Sequence, residues 1–448
     1  MKTFMIVWIG QSLSLIGSEL TGFALGIWVY QQNGSATEFA IISLCTLLPT
    51  VLISPISGVF LDRWNRRHVM ILSDIGAGVS TLSIALLLFT GHLSVTHIYG
   101  LTAIASIFGG FQKPALVATS SLLLPKDKLI QGSGLMSMSV GLASLIAPVL
   151  GGILLSLIQL QGIMAIDFAT FLVAVATLSI VRFPPVPRQL ADSEPSGKKA
   201  AWQTFWAELT CAWIFLRQRP GLLGLLGFFC GKNVLQGMIL VLMTPLALSF
   251  TTPKVLGIVL SIGGIGMIVG SSLLPLVGHQ KRRTSLIFVF TLLLGLSIFA
   301  AGLRVSVPLF AIATFLYSLA LPFIHGPGQV IFQLKTPADL QGRVFSFNEA
   351  VSGLAVPCGY IIAGPLSDHV FEPLMAVNGP LSGVMGPLIG VGPGRGIGLL
   401  FMAIGVLHGL LSWVSYRYRP LRYVERLIPD VLPTEQPKAE PLPTYLEA

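Results

Sequence analysis

The feature that most constrains this chain is a series of twelve apolar runs, each near the length that crosses a bilayer, separated by short polar or Pro/Gly-rich breaks. A helix needs ~20 mostly apolar residues to span the hydrocarbon core. The runs lie near residues 4–30, 40–61, 69–90, 97–123, 131–158 and 163–183. After a polar stretch they resume near 221–248, 254–278, 285–302, 307–333, 343–367 and 396–416. The expected fold class is therefore all-α and integral to the membrane, with twelve transmembrane helices. Composition agrees: 53% of residues are hydrophobic and 10% charged, with a mean hydropathy of +0.82, outside the balance of soluble chains. The first run is long and lacks a small-x-small cleavage site, so it reads as a retained helix, not a removed leader.

The formal charge of +9 would suggest a polyanionic partner in a soluble protein. Here the basic residues cluster between spans. With both termini cytoplasmic, 22 of the 27 Lys and Arg residues fall on the cytoplasmic side, and only Lys254, Arg304 and Arg395 fall outside. Lys113 and Lys232 lie within spans. This positive-inside bias sets the orientation and accounts for the charge without nucleic acid. Cys45, Cys211, Cys230 and Cys358 show no CxxC spacing and read as packing residues, so neither a disulfide framework nor a metal site is expected.

The spans divide into an N-terminal half (1–183), a cytoplasmic linker (184–220), a C-terminal half (221–416) and a cytoplasmic tail (417–448) that is basic, then rich in Pro and Glu. In the linker Trp202, Phe205, Trp206, Leu209 and Trp213 recur at helical spacing, as in an amphipathic helix at the membrane interface or one packed on the bundle's cytoplasmic end. The halves echo each other. Arg66-Arg67 follows the second span as Arg282-Arg283 follows the eighth; Gln131-Gly132 opens the fifth as Gln341-Gly342 opens the eleventh. Two pseudo-symmetric six-helix halves are the architecture in which two bundles rock about a central site.

After the second span the chain reads Gly58-Val-Phe-Leu-Asp62-Arg63-Trp-Asn65-Arg66-Arg67. This resembles the signature loop of the major facilitator superfamily, with Asn65 at the position of its second glycine. The fifth span carries Gly134, Ala143, Ala147, Pro148, Gly151 and Gly152, similar to the motif of the family's exporters, with alanine at two glycine positions. Trp8 to Gly17, Ile166-Asp167-Phe-Ala-Thr170-Phe171 and Gly392-Pro393-Gly394-Arg395-Gly396 resemble the subgroup of macrolide efflux proteins and enterobactin exporters. The resemblance implies the major facilitator fold, with Gly58, Asp62, Arg63, Arg66 and Arg67 forming a cytoplasmic gate. It also implies that the first, fourth, seventh and tenth spans line a central cavity.

The mid-span ionisable residues fall on those four spans: Glu19, Lys113, Lys232 and His325. A charge facing lipid costs several kcal/mol, so such groups face a wet cavity or a partner. Glu19 is the first candidate for proton coupling, with His325 the second; a structural Glu19-to-Lys ion pair is the alternative. Lys113, Lys232, Asn233, Gln236 and Gln329 are candidates for the substrate cavity. Asp74, Asp167 and Glu349 are expected near span ends, Asp74 and Glu349 in gating or capping roles and Asp167 in a structural one. The segment from Asp368 to Arg395 is a long external loop, partly embedded or folded over the outer mouth.

No Walker loop occurs, which excludes ATP hydrolysis by that route, and no HExxH, GxSxG or metal cluster marks an enzyme. The expected function is a secondary transporter in the cell membrane that exports a small amphipathic drug, macrolide-like antibiotic or siderophore by proton antiport. It would need no cofactor, with lipid, small molecule and protons as partners and a monomer as the unit. Proton-coupled uptake and a lipid or lysolipid flippase on the same fold remain open alternatives.

Overall fold

The computed structural model describes residues 2–61, 64, 66–125, 128–181, 198–277 and 283–431, and among these there is no strand. Twelve helices are long and apolar enough to cross a membrane. Six form the first half: α1 (Lys2–Asn33), α2 (Ala36–Leu61), α3 (Arg66–Phe89), α4 (Val95–Leu123), α5 (Leu129–Leu157) and α6 (Gln159–Ile180). After α7 (Lys198–Arg217) come α8 (Pro220–Leu248), α9 (Pro253–Val277), α10 (Arg283–Leu303), α11 (Val307–Lys335) and α12 (Ala338–Leu366). The short α13 (Glu372–Met375) and α14 (Ser382–Ile389) precede the last span, α15 (Arg395–Arg417), and two short turns, α16 (Arg419–Arg422) and α17 (Val424–Leu427), follow it.

Local chemistry sets the helix starts. Ser94 caps α4 in a reciprocal box with His97, and Ser306 accepts from the Leu309 amide at the start of α11. Pro220 opens α8, where its missing N–H costs nothing.

The two halves use one packing plan. In the first, α1 packs on α5 and α6, α4 on α2 and α3, and α3 on α6. In the second, α8 packs on α12 and α15, α11 on α9 and α10, and α10 on α15. The halves meet along two seams, α2 with α12 and α5 with α9. With an even number of spans, the first described residue, Lys2, and the last, Val431, lie on one face, called here the terminal face; the opposite one is the distal face.

The expected spans agree with these helices to within about five residues, and the starts err in one direction while the ends err in both. Eleven of the twelve spanning helices begin one to five residues before the apolar run, because a polar first turn is still helix. This corrects three placements. Asp74 lies eight residues inside α3, Asp167 eight inside α6 and Glu349 eleven inside α12, or about 12, 12 and 16 Å of rise from the helix start. None sits at a helix end, so none is a cap.

The linker helix α7 packs on α12 and α8. Ala212, Phe215 and Leu216 are buried, the Trp213 and Phe347 rings meet at a tilt with centroids 6.2 Å apart, and Glu208 lies 3.8 Å from Arg343. Trp213 and Ile214 stay 44% and 50% exposed on the other side. The helix thus rides on the second half, with an apolar edge left outward. The side chains of Trp202, Phe205 and Trp206 lie outside the described residues. The start of the tail also folds onto this half: Lys335, nearly fully buried, donates to the Glu425 carbonyl at 2.8 Å and to that of Ile428, and pairs with Asp430 at 2.8 Å.

Candidate functional site: mid-span ionisable residues and the distal seams

The mid-span ionisable residues lie on α1 and α4 of the first half and on α8 and α11 of the second. Lys113 and His325 hold matching places, each the nineteenth residue of a 29-residue helix, α4 and α11 respectively. Both are exposed, as are Glu19 in the middle of α1 and Gln329 one turn beyond His325. A charge exposed at mid-depth is costly against lipid, which makes these groups the candidates for a wet interior surface. Glu19 and Lys113 make no hydrogen bond or ion pair with any described residue. Lys113 nevertheless lies within electrostatic reach of Glu19, so the Glu19-to-Lys pairing stands as the alternative to a titrating carboxyl.

The second half presents a bonded cluster. The Lys232 side chain has no exposed surface at all. Its amine contacts Asn233 Oδ1 at 3.2 Å, Gln236 Oε1, and His325 Nε2 at 2.8 Å. Asn233 donates in turn to the Ser352 carbonyl of α12 at 2.8 Å, and the His325 ring stacks on Phe229. Lys232 was expected on the cavity wall; it lies behind it, with His325 between amine and cavity.

The first half buries two carboxylates of its own. Asp74 accepts from Gln11 at 2.9 Å and from Gln112, and Gln112 also donates to Gln11 at 2.7 Å, tying α1, α3 and α4 together. Asp167 accepts from Ser18 at 3.3 Å and Thr81 at 3.4 Å, tying α6 to α1 and α3. These bonds join helices within one half and leave the seams free. Glu349 is exposed and unbonded to any described residue.

The seams are tightest on the distal side. A Cβ added at Gly152 on α5 would lie 2.5 Å from the Pro253 carbonyl at the start of α9, and one at Gly364 on α12 would lie 2.7 Å from the Thr37 Cα on α2. The Gly257 position of α9 abuts the Pro148 carbonyl, and Ser261 donates to the Leu145 carbonyl at 2.7 Å. Small residues here let backbones touch. Of the exporter-like motif, Pro148 and Gly152 serve this seam, Gly151 meets Phe23 of α1, and Gly134 has open space beside it. Gly342 and Gly353 on α12 are likewise open. Among the described residues, the closest backbone approaches across the two seams thus lie on the distal side.

One residue that sequence reasoning passed over completes the distal seal. The expected external loop is structured: a π-helical turn (Ser367–Phe371), α13 and α14. From that turn Asp368 accepts from Ser35 Oγ at 2.8 Å, the Ala36 amide at 3.1 Å and the Thr37 amide at 2.9 Å. A carboxylate of the second half thus caps the start of α2 in the first. Glu372 does the same within its own half, accepting from the Gly394 and Ile397 amides at the start of α15, where Gly394 adopts φ +78.

On the terminal face Arg66 donates to the Ala118 carbonyl at 2.8 Å, and Arg67 to those of Leu178 and Ser179 at 2.9 and 2.6 Å. Arg67 thereby satisfies open carbonyls in the last turn of α6, and Arg66 reaches a carbonyl one turn deeper in α4, both within the first half. Asp62 and Arg63 lie outside the described residues, as do the side-chain surroundings of Gly58.

Residues 7–360 match the sequence profile of the Major Facilitator Superfamily. The chain is 28% identical over 371 residues to macrolide efflux protein A of Streptococcus pyogenes, covering 82% of this chain and 90% of that one. It is 23% identical over 347 residues to the enterobactin exporter EntS of Citrobacter koseri, covering 76% and 79%. Among solved structures it resembles a bacterial homologue of the human lysosomal transporter Spinster, inward-facing and unoccupied, with a TM-score of 0.69 at 16% identity over 95% of this chain and 97% of that one.

Proposed function

Because the chain belongs to the major facilitator superfamily, we propose that it exports a small amphipathic compound, of the macrolide or siderophore kind, in exchange for protons by alternating access. The terminal face is then cytoplasmic, as the basic loops favour. The observation that carries the reading is the mid-depth Glu19, exposed, with Lys113 within electrostatic reach but in no hydrogen bond or close ion pair with a described residue. A carboxyl without a fixed partner can change its proton without breaking the structure.

The cycle follows from that placement. With the distal seams open, Glu19 takes a proton from outside. With them closed, it meets a substrate entering from the cytoplasm, whose binding among Glu19, Lys113, Gln329 and the apolar wall favours release of the proton inward. Lys113 limits which charges are admitted. A ligand moves the equilibrium only by binding the two states unequally. Lys113 and His325, in matching places on the two halves, move apart or together as the halves rock and supply that inequality. The similarity to macrolide efflux protein A and to EntS supports export over uptake.

The direct test is accumulation of erythromycin in a macrolide-sensitive host expressing the protein. Accumulation below that of the empty host, restored by a protonophore, agrees with proton-driven export. Higher accumulation would indicate uptake, and a deficit indifferent to the protonophore would remove proton coupling.

A further inference from the structure

A buried ammonium is costly unless a counter-charge offsets it. Lys232 is the most enclosed charged side chain of the spans, with 0% exposure, yet no carboxylate pairs with it among the described residues. The ion pairs there join Arg283 to Glu425, Lys335 to Asp430 and Arg343 to Glu208. Elements packed on α8 carry Glu38, Glu208, Asp339, Glu349 and Glu425, and none bonds to the amine. Tyr360 of α12 and Tyr317 of α11 do not bond to it either. Of the helices flanking α11, α9 carries Lys254 and α10 Arg283, each in its first turn, and Arg304 follows the end of α10. On α15, His408 lies within electrostatic reach of Lys232, fully buried, with Nδ1 3.0 Å from the Ile404 carbonyl and Nε2 unpartnered. Across the cavity stand Glu19 and Lys113.

The partners that do touch the amine are informative. Asn233 Oδ1 and Gln236 Oε1 only accept, so they hold two of its protons whether it is charged or neutral. The third direction points at His325 Nε2, 2.8 Å away. That contact has two consistent forms. In one the ammonium donates to Nε2 and the ring carries its proton on Nδ1. In the other Nε2–H donates to the lone pair of a neutral amine and Nδ1 is bare. Nδ1 bonds to no described residue, and the ring is exposed to the cavity.

We infer that Lys232 and His325 together form a second proton site, in which the buried amine stores a proton that enters and leaves only through the His325 ring. Uptake is one concerted transfer: a proton from cavity water bonds to Nδ1, the Nε2–H proton passes to the amine lone pair, and the pair gains one positive charge without an imidazolium persisting. Release reverses these steps. Lys232 is the store and His325 the relay; Asn233 and Gln236 hold the amine in line. Use of the site in transport rests on the proton-coupled reading above, whereas the site itself does not.

The test needs no substrate. The protein is labelled with ¹⁵N at histidine and at lysine Nζ, placed in lipid nanodiscs, and followed by NMR through a pH titration, with His325 assigned as the resonance missing in His325→Phe. The expected result is a neutral ring protonated at Nε2 at high pH that becomes, on acidification, a neutral ring protonated at Nδ1. One lysine Nζ should change from amine to ammonium over the same step. In Lys232→Met the ring should instead titrate to the doubly protonated form. A wild-type ring that keeps one tautomer throughout, or that becomes doubly protonated without a lysine change, overturns the inference. Should Lys232→Met not fold, the coincidence of the two wild-type signals decides alone. A failed transport assay with an intact tautomer switch would count against the proposed function and leave this site standing.

Discussion

Asp368→Ala tests the distal seal at its most specific point. The substitution removes three hydrogen bonds, from Ser35 Oγ, the Ala36 amide and the Thr37 amide, at 2.8, 3.1 and 2.9 Å. Loss of a helix cap costs about 1 kcal/mol and loss of a charge at a helix N-terminus about 0.3–1 kcal/mol. Asp368 is only half-buried, so solvent screens part of the electrostatic share. The sum is about 1.5 kcal/mol, and it acts on the distal-closed state alone, because the cap spans the two halves. That corresponds to a shift of roughly tenfold in the ratio of distal-closed to distal-open molecules. Asp368→Asn keeps an acceptor without the charge and should give a smaller shift. Spin labels at Gln32→Cys and Val377→Cys, in a background with the four native cysteines replaced, report the separation across the distal face. The expected result is growth of a longer-distance population in the order wild type, Asn, Ala. An unchanged distance distribution in a well-folded Asp368→Ala protein would refute the latch.

Other perturbations separate seam, half and tail. Gly152→Val sets a branched side chain against the Pro253 carbonyl, where even a Cβ would come to 2.5 Å. It should wedge α5 from α9, lengthening the same label distances and lowering transport. Asp167→Ala strips the partner from Ser18 and Thr81 within the first half. With membrane hydrogen bonds worth ~0.6 kcal/mol each, it should lower thermal stability by about 1–2 kcal/mol while leaving the distal label distances unchanged. Lys335→Met releases the tail from the Glu425 and Ile428 carbonyls and from Asp430. Trypsin should then cut at Arg422 and Arg426 faster than in wild type, with the spans intact.

Span number, order and the duplicated plan were legible in the sequence because the bilayer writes them as length and apolarity, one helix at a time. The four mid-span ionisable residues were legible for the same reason, since charge in an apolar run needs a cause. Partnerships were not. Lys232 and His325 are 93 residues apart and their contact depends on how α8 and α11 rotate, which no periodicity of an all-apolar helix reveals. Asp368 looked like a loop residue because its role depends on the start of α2, more than 330 residues earlier. Asp74, Asp167 and Glu349 were placed too shallow because polar first turns were counted as loop.

Coupling through Glu19 is tested most directly in sealed vesicles containing a pH-sensitive dye, with a proton gradient imposed and macrolides, catecholate siderophores or lipophilic cations added to wild type and Glu19→Gln. Substrate-dependent proton movement in wild type, absent from Glu19→Gln although that variant still binds the compound, is the expected result. Proton movement of equal size in both proteins would contradict the role given to Glu19, and none in wild type with any compound would contradict proton antiport itself.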